Sequence, residues 1–278
     1  MMNVTGLDKK LARLNEIIAG CKSAAVAFSG GVDSTFLAAA AVRALGERAI
    51  AVTACSETLP ASEQREAVKL AALIGIKHEL VAISELESAE FVANDAKRCY
   101  YCKKQRLGSI ARWGGEYGYD WVLEGSNADD VDDYRPGMQA VDELAGVRSP
   151  LLEAGLTKAE IRAVSEQWGL PTWNKLSAAC LSSRIVYGLP VTAERLKQVE
   201  LAEAFIRKFC SGQIRVRHHG NLARIEVAEP DIAVLAQPAA AKAIAAELKR
   251  LGFTFVVLDL QGYRTGSLNE TLDLANNL

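Results

Sequence analysis

The string AFSGGVDST, Ala27 to Thr35, places two consecutive glycines among hydroxyl residues, between an apolar run and a segment with helical spacing. Glycines let backbone N–H groups approach an anion closely, and a helix start adds the positive end of its dipole. That is phosphate chemistry. No GK[ST] follows, and the spacing is not GxGxxG, so neither a Walker loop nor a dinucleotide fingerprint is present. A second group of reactive side chains is the cysteines, at 21, 55, 99, 102, 180 and 210. Cys99 and Cys102 form a CxxC in RCYYCKK, a spacing that suits a redox pair, a zinc half-site or part of an iron–sulfur site. The glycine loop disfavours a thioredoxin-like reading, and a four-cysteine zinc site lacks its second CxxC. Cys180 is the expected third thiol. It lies in NKLSAACLSSR, among small residues that leave room for a reactant, with Lys175 and Arg184 nearby to stabilise a thiolate.

Three further constellations fit the handling of a charged ligand. LEGSNADDVDDYRPG, Leu123 to Gly137, follows an expected strand; Gly125 and Asn127 are candidates for nucleotide binding, Asp129 and Asp130 for magnesium or nucleotide, and Arg135 for a carboxylate or phosphate. Arg215 and Arg217 alternate on IRVRHH, so one strand face carries both and can hold a phosphate. Glu200 and Glu203 stand at i and i+3 of an expected helix, where they can share a divalent ion. Each has a plainer reading: a solvated acidic loop, exposed strand arginines, a solvated helix face. His218 and His219 carry no specific signal beyond a turn.

The elements that must position these residues follow from hydrophobic periodicity. Leu7 to Ala19 has helical spacing and SAAVAFS reads as a buried strand. Helices near Ser34–Leu45, near Ala61–Ile74, after Cys102 and after Thr157 alternate with strands at AIAVTA, HELVAI and WVLEG. This predicts an α/β fold, a doubly wound parallel sheet, over residues 1–170. Residues 171–190 read as a connection carrying Cys180, and 191–278 as a smaller α+β domain. That domain is expected to hold a helix at Thr192–Phe209, a hairpin of QIRVRHH with LARIEVA, a helix at Pro230–Arg250 and the strand FTFVVLDL. With 278 residues and a net charge of −2, the chain has ample material for a core and no basic field directed at nucleic acid or a membrane surface. Its charged N-terminal stretch and short apolar runs predict a soluble, cytoplasmic protein whose cysteines are thiols or metal ligands.

SGGVDST is similar to the pyrophosphate loop of the PP-loop superfamily, the N-type ATP pyrophosphatases, whose fold is Rossmann-like. The resemblance implies that Ser29, Gly30, Gly31, Asp33, Ser34 and Thr35 contact pyrophosphate, with Mg2+ and Asp33 among its ligands. Taken in order, SGGVDST, RCYYCK, EGSNADD, DYRPG, SPLLEAGLTKAEIR and AACLSSRI resemble the LarE family, sulfur transferases that help build a nickel-pincer nucleotide cofactor. The resemblance spans nearly the whole chain. It implies that ATP adenylates a carboxylate of a pyridinium dicarboxylate mononucleotide, that sulfur attacks the activated carbonyl, and that AMP leaves a thiocarboxylate behind. In one branch of the family the sulfur comes sacrificially from the cysteine at the Cys180 position; in the other, three cysteines hold a [4Fe-4S] cluster. With Cys99, Cys102 and Cys180 all present, this chain looks like the cluster-bearing branch. Arg135, Arg184, Arg215 and Arg217 are then the expected substrate contacts. The expected partners are the small mononucleotide, further copies of the chain, and sulfide or a sulfur-donor protein, with no nucleic acid or membrane.

Two other PP-loop activities compete. A tRNA thiolase also adenylates and uses cysteines, but needs a basic RNA-binding surface that this composition does not provide. An amide-forming ligase needs an ammonia source and has no use for three cysteines. A non-catalytic nucleotide-binding module leaves Cys180 unexplained.

Overall fold

The structure, a computed structural model, describes residues 4–130, 137–176 and 179–270. In chain order the elements are α1 (Val4–Ala19), β1 (Ala24–Ala27), α2 (Val32–Leu45), β2 (Ala49–Cys55), α3 (Ala61–Ile74), β3 (Lys77–Ala82), α4 (Ala89–Ala93), α5 (Arg98–Glu116) and β4 (Trp121–Leu123). They continue with α6 (Gly137–Asp142), β5 (Val147–Arg148), α7 (Pro150–Glu153), α8 (Lys158–Gln167), α9 (Ala193–Ile206), β6 (Ile214–His219), β7 (Leu222–Val227), α10 (Glu229–Leu235), α11 (Pro238–Arg250) and β8 (Phe255–Leu258). The chain divides into two units, one of residues 1–85 and 99–178, the other of residues 86–98 and 179–278.

The larger unit is the doubly wound α/β fold that the alternation predicts. Its five strands run parallel in the order β3-β2-β1-β4-β5. The first strand is central because its four residues, AAVA, are small and apolar and can be covered on both faces. From β1 the chain winds outward to β2 and β3, then returns to the other side for β4 and β5, so the order reverses between β1 and β4. Such a reversal opens a crevice at the carboxyl ends of the two strands, and the loops after β1 and β4 flank it. The alanine-rich α2 packs closely on the sheet, with Phe36 and Leu37 wholly buried. Phe36 stacks on Trp168 at 4.8 Å between ring centroids, and Arg43 covers that indole at 3.5 Å. The strand β5 was not among the expected elements. Its two residues, Val147 and Arg148, are too few for a periodicity to show.

The smaller unit carries a three-stranded sheet in the order β6-β7-β8. The expected hairpin is there, β6 antiparallel to β7, and β8 then joins β7 in parallel. The single helix expected at Pro230–Arg250 is two, α10 and α11, because Pro238 has no N–H to donate and suits only the first turn of a new helix. The segment 86–98 belongs to this unit, although it comes from the middle of the larger domain's sequence. Asn94 fixes it: in a left-handed conformation (φ 57°) and fully buried, its amide donates to the carbonyls of Val186 at 2.8 Å and Leu189 at 2.7 Å. Val191 N–H adds a bond to Val92 O at 2.9 Å.

Candidate active site

The glycine loop ends β1 and opens α2. Gly30 is left-handed (φ 69°), while Gly31, the helix N-cap, is extended. The change of sign in φ between the two glycines lets the chain turn sharply from the strand into the helix, whose first N–H groups are left without intrahelical partners. A side chain on Gly30 would be strained by its backbone and would meet Leu70 Cδ1 at 3.3 Å. On Gly31 it would meet only Ser29 Oγ, so the second glycine leaves open the face a ligand would approach. Ser29 and Ser34 share a hydrogen bond between hydroxyls at 3.0 Å, and Ser34 Oγ also accepts from Ser29 N–H. Both hydroxyls therefore lie against the loop. Thr35 has no exposed surface, and its N–H is spent on Gly31 O at 3.0 Å.

The loop after β4 lies beside this one. A Cβ on Gly125 would come within 3.3 Å of both Asp33 Cβ and Ser34 N, so glycine is needed there for backbone to pack on backbone. Asn127 is buried; its N–H donates to Asp130 Oδ2 and its side-chain oxygen accepts from Asp129 N–H. Glu124, also buried, accepts from Ser126 and Ser149 and pairs with Lys103 at 3.0 Å. Arg135 lies outside the described residues.

Two lysines complete the surroundings of the loop. The capping box of Thr157 and Glu160 sets the start of α8, and Lys10 pins Glu160 at 2.8 Å, so Lys158 is the first helical residue. Its ammonium pairs with Asp33, and its N–H donates to Asp129 Oδ2 at 2.9 Å. Burial, partly offset by Lys158, raises the Asp33 carboxyl above the ordinary carboxylate range, and Asp33 Oδ1 is buried with no hydrogen-bond partner among the described residues. Lys175 donates to Gly30 O at 3.1 Å and pairs with Glu63 and Glu66 on α3 at 2.9 and 3.0 Å. Sequence reading placed neither lysine at the loop; it placed Lys175 near Cys180.

A phosphate-shaped loop at a topological switch point is shared by several activities, and relatives narrow the choice. The NAD synthase family matches residues 9–106, the part that carries the loop. Across 97% of this chain and 97% of its own length, pyridinium-3,5-bisthiocarboxylic acid mononucleotide synthase of Lactiplantibacillus plantarum is 36% identical. The chain belongs to the LarE family. It is an ATP-dependent sulfur transferase. Similar at full length are uncharacterized protein slr1717 of Synechocystis, 41% identical over 96% of this chain and 99% of that one, and MJ0830 of Methanocaldococcus jannaschii, 28% identical over 88% and 92%.

For a LarE protein the thiols matter most, and all six cysteines are outside any disulfide. Cys21 and Cys210 are buried, their thiols donating to helix carbonyls of Ile17 and Ile206, and burial raises both above the usual thiol range. They are packing residues. Cys55 is half-buried and likewise raised by burial. Cys99 is exposed, and Cys102 and Cys180 are partly so. Cys99 and Cys102 occupy the first turns of α5, which begins at Arg98 and not after Cys102; Cys102 Sγ lies 3.6 Å from Glu85 Oε1. Cys180 precedes a single 3-10 turn at 181–184, with its sulfur 3.0 Å from Ser182 Oγ. Thiolate sulfur is the donor type that iron–sulfur clusters take, and these three are the thiols with solvent access that the sequence singled out. Among the described residues no three His, Cys, Asp or Glu side chains are gathered into a metal-holding group.

In the smaller unit, Arg184 is buried, and its guanidinium grips the carbonyls of Ala179 and Cys180 and pairs with Glu203 at 2.9 and 3.0 Å. It fixes the backbone of Cys180 and leaves Glu203 occupied, since Glu203 also accepts from Val216 N–H at 3.0 Å. Glu200 pairs with Lys197. Arg215 and Arg217 are both buried. Arg217 is bound to Glu226, Ser183 O and Ser267, whereas Arg215 donates to Ile214 O and lies over Tyr263, 5.1 Å from its ring centroid. Burial, then the positive charge of Arg184, lowers Arg215 below the ordinary arginine range.

Proposed function

We propose that the protein adenylates a carboxylate of a pyridinium dicarboxylate mononucleotide and converts it to a thiocarboxylate, a step toward a nickel-pincer nucleotide cofactor. The observation that carries this reading is full-length similarity to a pyridinium-3,5-bisthiocarboxylic acid mononucleotide synthase, in a chain that has the glycine loop and Cys180. ATP binds with its β and γ phosphates on Ser29, Gly30, Gly31 and Ser34, and Thr35 supports the loop from within. Gly125 and Asn127 border the nucleotide. Asp33 and Asp129 are the proposed ligands of Mg2+, which Asp33 would take up in exchange for part of its contact with Lys158. The substrate carboxylate oxygen attacks the α-phosphorus, the bond to the β-phosphate breaks, and pyrophosphate departs. A sulfur nucleophile then adds to the acyl carbon, and AMP leaves with the former carboxylate oxygen.

The substrate's own phosphate falls to Arg215, with Arg217, Arg184 and Arg135 as the further cationic groups. Glu200 and Glu203 are the proposed seat of a second divalent ion, for which Glu203 would have to release Arg184. Cys99, Cys102 and Cys180 would hold a [4Fe-4S] cluster, which supplies the transferable sulfur when bound; otherwise Cys180 gives up its own. We place the protein in the cytoplasm as a homo-oligomer served by sulfide or a sulfur-donor protein. Among the described residues no helix is long and apolar enough to cross a membrane.

The test is product analysis with ATP and the mononucleotide: AMP, pyrophosphate and a substrate heavier by the exchange of oxygen for sulfur. ADP and phosphate would overturn the reading. Copurifying tRNA that gains sulfur would favour a thiolase instead.

A further inference from the structure

The Lys175 ammonium donates to the backbone of the glycine loop, and its acceptor is the carbonyl of Gly30, at 3.1 Å. That carbonyl belongs to the same peptide unit as the N–H of Gly31. Because a trans peptide holds its C=O and N–H antiparallel, drawing the oxygen toward Lys175 turns the Gly31 N–H the opposite way, into the loop. There it meets Ser29 Oγ at a long 3.4 Å, a weak bond that a phosphate oxygen can replace. The unit joins two glycines. Glycine takes positive and negative φ about equally well, so nothing in the local chain prevents this peptide from flipping and presenting its oxygen to the phosphate.

We infer that Lys175 is a positioning residue: it locks the Gly30–Gly31 peptide in the orientation that offers an N–H to pyrophosphate. The lysine is itself held. Glu63 and Glu66 bind its ammonium from α3, and Arg162 on α8 fixes the chain on either side through Trp173 O at 2.6 Å and Lys175 O at 3.0 Å. Its charge also offsets two carboxylates that would otherwise stand beside a polyanion. The inference rests on the loop being the pyrophosphate site.

Two measurements on the full chain test it. Inorganic pyrophosphate is titrated into wild type, Lys175→Met and Lys175→Arg. Lys175→Met should bind roughly tenfold more weakly, the value of one well-made hydrogen bond to an anion, and Lys175→Arg should recover most of the loss. The second measurement reads the peptide directly. The sequence has only two Gly-Gly pairs, at 30–31 and 114–115, so ¹³C′-glycine with ¹⁵N-glycine labelling in perdeuterated protein isolates the Gly31 and Gly115 amides. In ligand-free Lys175→Met the Gly31 resonance should broaden or double while that of Gly115 stays unchanged. A single sharp Gly31 signal together with wild-type pyrophosphate affinity in Lys175→Met overturns the inference. If wild type itself does not bind pyrophosphate, the loop assignment fails first.

Discussion

Asp33 and Lys158, 125 residues apart in sequence, form an ion pair at the mouth of the glycine loop. The acid comes from the second residue of α2 and the base from the first residue of α8. A carboxylate so near a site for phosphate is electrostatically costly unless a cation accompanies it. Since burial raises the Asp33 carboxyl, its charged form is the strained one. For a folded-state value above the unfolded one, stability is fully present below the unfolded value and declines as pH rises through the folded value. At neutral pH Asp33 therefore weakens the fold. Asp33→Asn should leave thermal stability unchanged or raise it while abolishing AMP formation, and scanning calorimetry beside an AMP assay would show both. A variant that unfolds more readily at pH 7 would mean that Asp33 is retained for structure.

Lys158→Met should act in the opposite sense. It strips Asp33 of its partner and costs about 1 kcal/mol, modest because the lysine is partly exposed and water can reach the pair. The loss in ATP turnover should be larger than that figure allows, because a cation is removed from the phosphate site as well. Urea unfolding and the AMP assay separate the two effects.

The arginines of β6 should part company. Arg217 neutralises Glu226, which has no exposed surface, so Arg217→Ala leaves a buried charge to the more exposed Arg224; the expected cost is about 3 kcal/mol. Arg215→Ala should cost less stability, since Arg215 is already depressed by burial and by Arg184. It should instead weaken binding of the mononucleotide at least tenfold with little change in ATP affinity. Calorimetric titration of both ligands into both variants decides this. Equal substrate affinity for Arg215→Ala and wild type would remove the phosphate assignment.

How much of this was legible beforehand depended on distance along the chain. The loop could be read from Ser29 to Thr35 because conformation, helix start and hydroxyls are encoded within seven residues. The parallel sheet followed from periodicity. Lys158 and Lys175 could not be found that way: each meets the loop across more than a hundred residues, and neither stands out among its neighbours. The alternation of Arg215 and Arg217 makes them look like an equivalent pair; what separates them is Glu226, which the hairpin register sets opposite Arg215 and which pairs diagonally with Arg217. Pro238 was visible in the sequence, and its meaning as a helix start was missed.

His218 gives the smaller unit an acid limit. Burial, with Arg195 and His219 adding positive charge, pushes it down to about 4. Its ring stays neutral, one nitrogen facing Gln198 Oε1 at 2.9 Å and Nδ1 accepting from Gly220 N–H. For a lowered folded-state value, stability is present above the unfolded value near 6.5 and is lost as pH falls through about 4. The loss should reach at most about 3 kcal/mol. His218→Gln should flatten the curve of stability against pH across that window, as followed by urea midpoints. An unchanged slope would assign the acid sensitivity elsewhere.

Cys180 is held so that its backbone cannot wander while its sulfur remains reachable. Arg184 binds the Cys180 carbonyl at 2.8 Å, the turn that follows closes with Ser183 N–H on the same oxygen, and the thiol lies beside Ser182 Oγ. A packing cysteine would resemble Cys21 or Cys210, buried and bonded to its own helix. Two outcomes are chemically distinct. If Cys180 is consumed, its sulfur attacks the acyl adenylate and expels AMP, and loss of the α-proton then breaks the Cβ–S bond, leaving dehydroalanine. Mass spectrometry after one turnover should then show Cys180 lighter by the elements of hydrogen sulfide, and Cys99 and Cys102 should be dispensable. If the three cysteines hold iron, anaerobic protein should be brown, each single substitution should lose the chromophore and the activity together, and wild type should turn over repeatedly when sulfide is supplied. Cys180→Ala that still transfers sulfur at the wild-type rate would sink both.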